Sequence, residues 1–259
     1  MKRVKKLRKS RDRRKLGALV AEGRREVDRA WAAGLSCELL MTCEAMLVHG
    51  EAWRPAGDAD RWLEVPAELF GACAYHDKPE GVLAVFAEPG RTLDTLRVDP
   101  ADASPLVLVV VGAEKPGNLG AMVRSAEAAG AAAVLSVDAV VDPFNPNAIR
   151  NSTGAVFSTP VIACGLDEAR AWLSSHGLAV LATVAADDAR GEAAALWELD
   201  LSGPLAVVVG AEAGGLPDAW VESADLRATI PTAGASVDSL NASVAAAVVL
   251  FEARRQRGG

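Results

Sequence analysis

Three short segments carry the residue types that could do chemistry. The first reads Gly112-Ala113-Glu114-Lys115-Pro116-Gly117-Asn118-Leu119-Gly120 and runs into a helical stretch that presents Arg124 and Ala126. The second is Gly210-Ala211-Glu212-Ala213-Gly214-Gly215-Leu216-Pro217. The third is Ile230-Pro231-Thr232-Ala233-Gly234, followed by Ser239-Leu240-Asn241-Ala242-Ser243-Val244-Ala245. The first segment is neither a Gly-x-Gly-x-x-Gly turn nor a Gly-x-x-x-x-Gly-Lys-Ser/Thr loop, so the cradles for pyrophosphate and triphosphate are both missing. Small residues in all three imply a main chain that comes close to a flat ligand lacking phosphate. An adenine with its ribose would suit.

Taken singly, these residues also have plain structural readings. Arg124 beside Glu127 reads as a surface ion pair, Asn118 and Ser239 as helix caps, and Glu212 as a solvated acid. Asn241 inside a helical start is tolerated only if its side chain is bonded. Arg150 reads as a phosphate contact or an ion pair. No metal site is expected: Cys37, Cys43, Cys73 and Cys164 form no Cys-x-x-Cys pair, and His49, His76 and His176 stand at no metal-ligand spacing. The cysteines read as small buried hydrophobes in a reducing compartment.

The segments that must position this chemistry are continuous apolar runs at 106–111, 132–137, 178–184, 205–209 and 226–230, alternating with helical stretches. Such runs predict strands buried on both faces, hence an α/β fold with a parallel sheet between helices. In these sheets ligands sit beyond the carboxyl ends of the strands, where the three segments fall. Upstream, Leu19, Val27, Ala30 and Trp31 recur at helical spacing, which predicts a helix over 16–34 stopped by Gly34. Strands at 38–41, 62–65 and 82–86 and a helix at 67–74 make a smaller α/β unit. The chain is thus divided into a basic arm at 1–15, a domain at 16–88, a linker at 89–104 rich in Pro, Gly and Asp, and a domain at 105–259.

A length of 259 residues supports one or two domains with their own cores, and 51% hydrophobic with 24% charged residues excludes the disordered class. The apolar runs fall short of the roughly 20 residues that span a bilayer, and no secretion signal is read behind the basic start, so a cytoplasmic protein without a membrane partner is expected. Net charge is −7, yet residues 1–15 carry ten cations against one acid, +9, which leaves −16 for the other 244. That arm reads either as a phosphate-neutralising element or as a frayed terminus.

Together the three segments resemble the SpoU/TrmH family of the SPOUT methyltransferase superfamily. Asn118, Gly120, Arg124 and Ala126 match its Asn-x-Gly-x-x-x-Arg-x-Ala motif, and Gly210, Glu212, Gly215, Leu216 and Pro217 match Gly-x-Glu-x-x-Gly-Leu-Pro. Ile230, Pro231, Gly234 and 239–245 match the third motif, except that Thr232 stands where Met is usual. The stretch from Asp142 through Ile149-Arg150-Asn151-Ser152-Thr153-Gly154 is similar to the family's middle region. Glu22-Gly23-Arg24-Arg25-Glu26-Val27 and Lys78-Pro79-Glu80-Gly81 are similar to the ribosomal-protein-like RNA-binding domain that many members carry.

The resemblance implies a C-terminal domain knotted as a trefoil, binding S-adenosylmethionine and methylating RNA ribose 2′-hydroxyls as a homodimer with its site at the subunit interface. It implies Arg124, Asn118, Glu212, Ser239 and Asn241 as catalytic residues. It further implies Val184, Gly210, Ala211, Glu212, Gly215, Ile230, Pro231, Ser239 and Leu240 around the cofactor, and Arg24, Arg25 and Arg150 on the RNA. Ribosomal RNA is the expected substrate. Transfer RNA methylation, methylation of a base nitrogen or a small molecule, and a non-catalytic ribosome-assembly role on the same fold are the alternatives.

Overall fold

The computed structural model describes residues 1–47, 53–99, 101–185, 190, 192–211, 214–233 and 240–258. Two compact units emerge, residues 1–90 with 144–158 and residues 91–143 with 159–259. In the first unit the expected basic arm is two short helices, α1 (Lys2–Lys6) and α2 (Ser10–Leu16). Val4 and Leu7 are buried against Phe70 and Cys73. Arg13 is also buried, its guanidinium donating to the carbonyls of Leu7 at 2.8 Å and Arg8 at 3.0 Å, which closes the turn between the helices. Arg8 in turn donates to the carbonyls of Cys73 and Ala74. The basic segment is therefore folded into the unit, and neither a loose arm nor a frayed end.

The expected helix over 16–34 is a strand followed by a helix. Gly17, left-handed at φ 56°, ends α2, and β1 (Ala18–Glu22) follows. α3 (Arg24–Ala32) starts after Gly23 at φ 106°. The two glycines take positive φ, which interrupts any helix, and Leu19 lies in a strand paired with a later one. β2 (Cys37–Thr42), β3 (Trp62–Glu64), α4 (Ala67–Cys73) and β4 (Val82–Ala87) complete a sheet of order β1-β4-β2-β3. Alternate residues Val20, Met41, Leu83 and Val85 face α1 and α4, while α3 packs on β1 and β4 with Trp31 edge-on to Phe86.

The second unit begins ahead of the expected boundary: Leu96, in the expected linker, is buried in its core. Its elements are β5 (Leu106–Val111), α5 (Pro116–Ala129) and β6 (Ala133–Val137). α6 (Pro146–Asn151) and α7 (Ala155–Ser158), within the expected C-terminal domain, pack instead in the first unit, against β1 and α3. The chain continues with β7 (Val161–Cys164), α8 (Leu166–Ser175), β8 (Ala179–Thr183), β9 (Ala194–Ala195), β10 (Leu205–Val209), α9 (Asp218–Glu222), β11 (Leu226–Thr229) and α10 (Ala242–Gln256). Among the described residues its seven strands are all parallel, in the order β7-β6-β5-β10-β8-β11-β9. β5 and β10 are buried along their whole length, as their continuous Val and Leu runs require at the centre of such a sheet. α5 and α10 lie side by side. Among the described residues no helix is long and apolar enough to cross a membrane.

Candidate active site

The strand order brings the carboxyl ends of β5, β10, β8 and β11 next to one another, and two adjoining cavities open there. One, of about 250 Å³, is lined by Val184, Gly210, Ala211, Gly215, Ile230 and Leu240 of the expected cofactor residues. Thr232 and Ala245 of the third motif line it too, and so do Thr183 and Thr229, which escape the motif reading. Thr183 ends β8, and only the insertion of β10 and β11 on either side of β8 makes that end part of the site. Pro231 is exposed and absent from the lining. Glu212 and Ser239 lie outside the described residues.

After β10 the chain doubles back so tightly that Ala211 and Gly215 form a bridge, with Gly215 left-handed at φ 62°. Opposite, Gly112 at φ 65° faces the Ala211 methyl, where a Cβ would lie 3.6 Å away. Small residues here set the approach of two strand ends as well as the bareness of the cavity wall.

The second cavity, of about 350 Å³, shares Gly210, Ala211 and Ala242 with the first and is otherwise lined by residues from β5 to α5, including Glu114, Lys115, Asn118 and Met122. Pro116 is the first residue of α5, so Lys115 takes the cap position and Asn118 stands inside the first turn, half-buried. Asn118 and Met122, four residues apart, share the face that meets the cavity. Arg124 is two residues further, about 200° around the helix; it is exposed and lines neither cavity.

The capping expectations change places. Asn118 stands inside α5, whose N-cap position is Lys115, whereas Asn241 is the N-cap of α10, its Oδ1 accepting from the Ser243 N–H at 2.9 Å and the Ser243 hydroxyl at 2.6 Å. Its side chain is thus bonded at the helix boundary, and Asn241 is absent from both cavity linings, although its neighbour Ala242 lines both.

In the first unit Arg25 pairs with the neighbouring carboxylate of Glu26 at 2.7 Å, Arg24 is half-buried, and Arg150 is exposed on α6. Glu22 of the same unit is 7% exposed, and its Oε2 accepts the Tyr75 N–H at 2.6 Å. Burial pushes the Glu22 carboxyl above its ordinary range, against the opposing pull of the Tyr75 and His76 N–H groups and of Arg150 and Arg8. Burial likewise pushes His76 down, helped by Arg150.

The chain is similar to known proteins. Residues 1–84 match the MRM3-like substrate binding domain. A 23S rRNA (guanosine-2′-O-)-methyltransferase of Ralstonia nicotianae is 38% identical over 201 residues, covering 76% of this chain and 78% of the relative. A crystal structure of an RNA 2′-O ribose methyltransferase superposes with a TM-score of 0.82 at 39% identity, over 100% of this chain and 96% of the other. An AdoMet-bound rRNA methyltransferase from Sinorhizobium meliloti does so with a TM-score of 0.82 at 28% identity, over 98% and 93%. Residues 105–251, which hold both cavities, match the SpoU rRNA Methylase family. That match spans more than half of the chain, and the protein belongs to this family.

Proposed function

We propose that the protein transfers a methyl group from S-adenosylmethionine to a ribose 2′-hydroxyl of 23S ribosomal RNA, acting as a homodimer in the cytoplasm. The observation that carries this reading is the pair of cavities meeting at Gly210, Ala211 and Ala242, one walled by small, aliphatic and threonine side chains, the other holding Asn118. The first cavity fits the cofactor: Val184, Ile230 and Leu240 wall it for a flat adenine, and no Lys or Arg stands among its described lining, as suits an adenosyl group without phosphate. Bound there, S-adenosylmethionine supplies an electrophilic methyl on a sulfonium sulfur.

The protein's own residues must do the rest. A ribose hydroxyl is a weak nucleophile near neutral pH, so it has to be held in line with that methyl while charge grows on its oxygen. Asn118 orients the ribose from the second cavity. Arg124 clamps the adjacent RNA phosphate and stabilises the developing alkoxide; a guanidinium whose pKa exceeds about 12 is a poor base. Glu212 positions the arginine and the ribose, and Ser239 and Asn241 complete the site. Arg24, Arg25 and Arg150 bind RNA phosphates together with the exposed cations of α1 and α2.

Two observations favour the dimer. Arg124 is turned away from the cavities of its own chain, and α10, beside α5, exposes Val244 and Phe251 seven residues apart on one stripe. A second copy on this face buries that stripe and brings Arg124 to a site shared by two chains. Ribose-methyl mapping of ribosomal RNA from cells with and without the protein tests the activity, with one 2′-O-methyl absent on deletion as the expected result. A methylated base or an unchanged map would overturn it.

A further inference from the structure

We infer that Glu114 is the general base of the reaction, its carboxylate taking the proton that the ribose 2′-hydroxyl gives up. This rests on the reading above, in which the second cavity receives the ribose at Asn118 and the methyl group comes from the first. The two cavities meet at Gly210, Ala211 and Ala242, so the hydroxyl oxygen faces the methyl across that junction and its proton is shed on the side of the second cavity. An arginine is a poor acceptor for it. Among the described residues that line either cavity Glu114 is the one carboxylate, and it shares its wall with Asn118.

The surroundings leave this carboxylate able to accept. Glu114 is exposed in the loop between β5 and α5, and among the described residues none donates a hydrogen bond to it. Its main chain is held on both sides: the Gly112 N–H donates to the Val137 carbonyl at 2.9 Å, the Ala113 carbonyl accepts the Val141 N–H at 3.3 Å, and Pro116 opens α5. A base needs this combination of a fixed root and an unengaged head that comes within hydrogen-bond reach of the proton. Lys115 is the other charged residue of that lining, and the step makes no use of it. In the step itself the 2′ oxygen forms its bond to the methyl carbon, the carbon–sulfur bond breaks with its electron pair passing to sulfur, and S-adenosylhomocysteine leaves. The hydroxyl proton moves to a Glu114 oxygen and is lost to water when the RNA departs. Its removal spares the 2′ oxygen a full positive charge as the new bond forms, a contribution of roughly 10²- to 10⁴-fold for a well-placed base.

The test uses the full-length protein and an unmodified 23S rRNA transcript, on which the methylated position is first mapped. Single-turnover rates at saturating RNA and cofactor should be lower by about 10²-fold or more in Glu114→Gln. Only hydroxide from solvent is left to take the proton in that variant, so its rate should climb by about tenfold per pH unit, more steeply than that of the wild type. A second readout needs no turnover. Without cofactor, the wild type should hold a transcript with a 2′-hydroxyl at the mapped position about fivefold more tightly than one with a 2′-deoxyribose there, and Glu114→Ala should hold both alike. Calorimetric S-adenosylmethionine affinity equal to that of the wild type shows that the variants are folded. A Glu114→Gln rate within about threefold of the wild type, a slower rate that keeps the wild-type pH slope, or equal wild-type binding of the two transcripts overturns the inference and leaves the methyltransferase reading intact. A transcript that gains no ribose methyl from the wild type overturns that reading itself, and the inference with it.

Discussion

A Cβ placed on Gly210 would lie 2.3 Å from the carbonyl carbon and oxygen of Gly215 and 2.6 Å from the Leu216 nitrogen. All three are main-chain atoms, so no side-chain rotation can relieve the overlap. Gly210→Ala must push the main chain of Gly215 and Leu216, where the turn after β10 ends, outward and deform the wall common to both cavities. The expected outcome is a tenfold or greater loss of S-adenosylmethionine affinity by calorimetry, with a destabilisation of about 1–3 kcal/mol as for other overpacked sites. Wild-type affinity in this variant would show that the turn plays no part in cofactor binding.

Arg124→Ala should leave cofactor affinity unchanged, because Arg124 lines neither cavity of its own chain. Methyl transfer should fall by about 10²-fold or more if the guanidinium stabilises the developing oxyanion. Near wild-type single-turnover rates would return Arg124 to the role of a surface cation.

The central strands are legible almost residue for residue, since 106–111 and 205–209 are uninterrupted Val, Leu and Ala runs that only a doubly covered sheet can bury. The wall formed by Thr183 and Thr229 is not. Nothing in local spacing says that β8 lies between β10 and β11, because that order depends on pairing between residues far apart in the chain. Asn241 shows a different limit: the motif marks it, but whether its side chain caps the helix or enters a cavity depends on where the first turn of α10 closes. Arg13 shows a third. Ten cations in fifteen residues announce a surface, and no pattern tells that one of them turns inward to close the α1–α2 turn.

Because α1 and α2 are anchored by Val4, Leu7 and Arg13, deleting residues 1–15 would damage the core as well as remove charge. Charge-only changes separate the two effects. Lys5→Gln, Lys6→Gln and Lys9→Gln together, all at exposed positions, should weaken binding to a 23S rRNA transcript and flatten the plot of log affinity against log salt. The expected change in slope is about 0.7–0.9 for each phosphate that is no longer neutralised. Calorimetric S-adenosylmethionine affinity should not move. Superimposable salt slopes for wild type and variant would exclude these lysines from the RNA-binding surface.

Burial holds the Glu22 carboxyl above its ordinary value of 4.5 in the folded chain. The native state therefore binds this proton more tightly than the unfolded state does, and the group's contribution to stability falls as pH rises from that ordinary value through the folded one. Glu22→Gln cannot titrate. Melting temperatures of the two proteins should converge at low pH and separate with rising pH, the wild type losing ground. Parallel curves from about pH 4 to 7 would show that Glu22 titrates alike in both states.

The insertion of β10 also bears on how the chain is made. Leu106 pairs with Leu205, and on its other side Leu205 pairs with Ala179. During synthesis, β5, β6, β7 and β8 all leave the ribosome before the strand that joins them into one sheet. The nascent second unit must wait with its middle seam open, two apolar strand edges unpaired, until Val209 has emerged. Long-range parallel pairing of this kind is slow and exposes sticky edges. A ribosome stalled before the end of β10 would therefore carry an aggregation-prone half-sheet, whereas the first ninety residues already contain the four described strands of their own sheet.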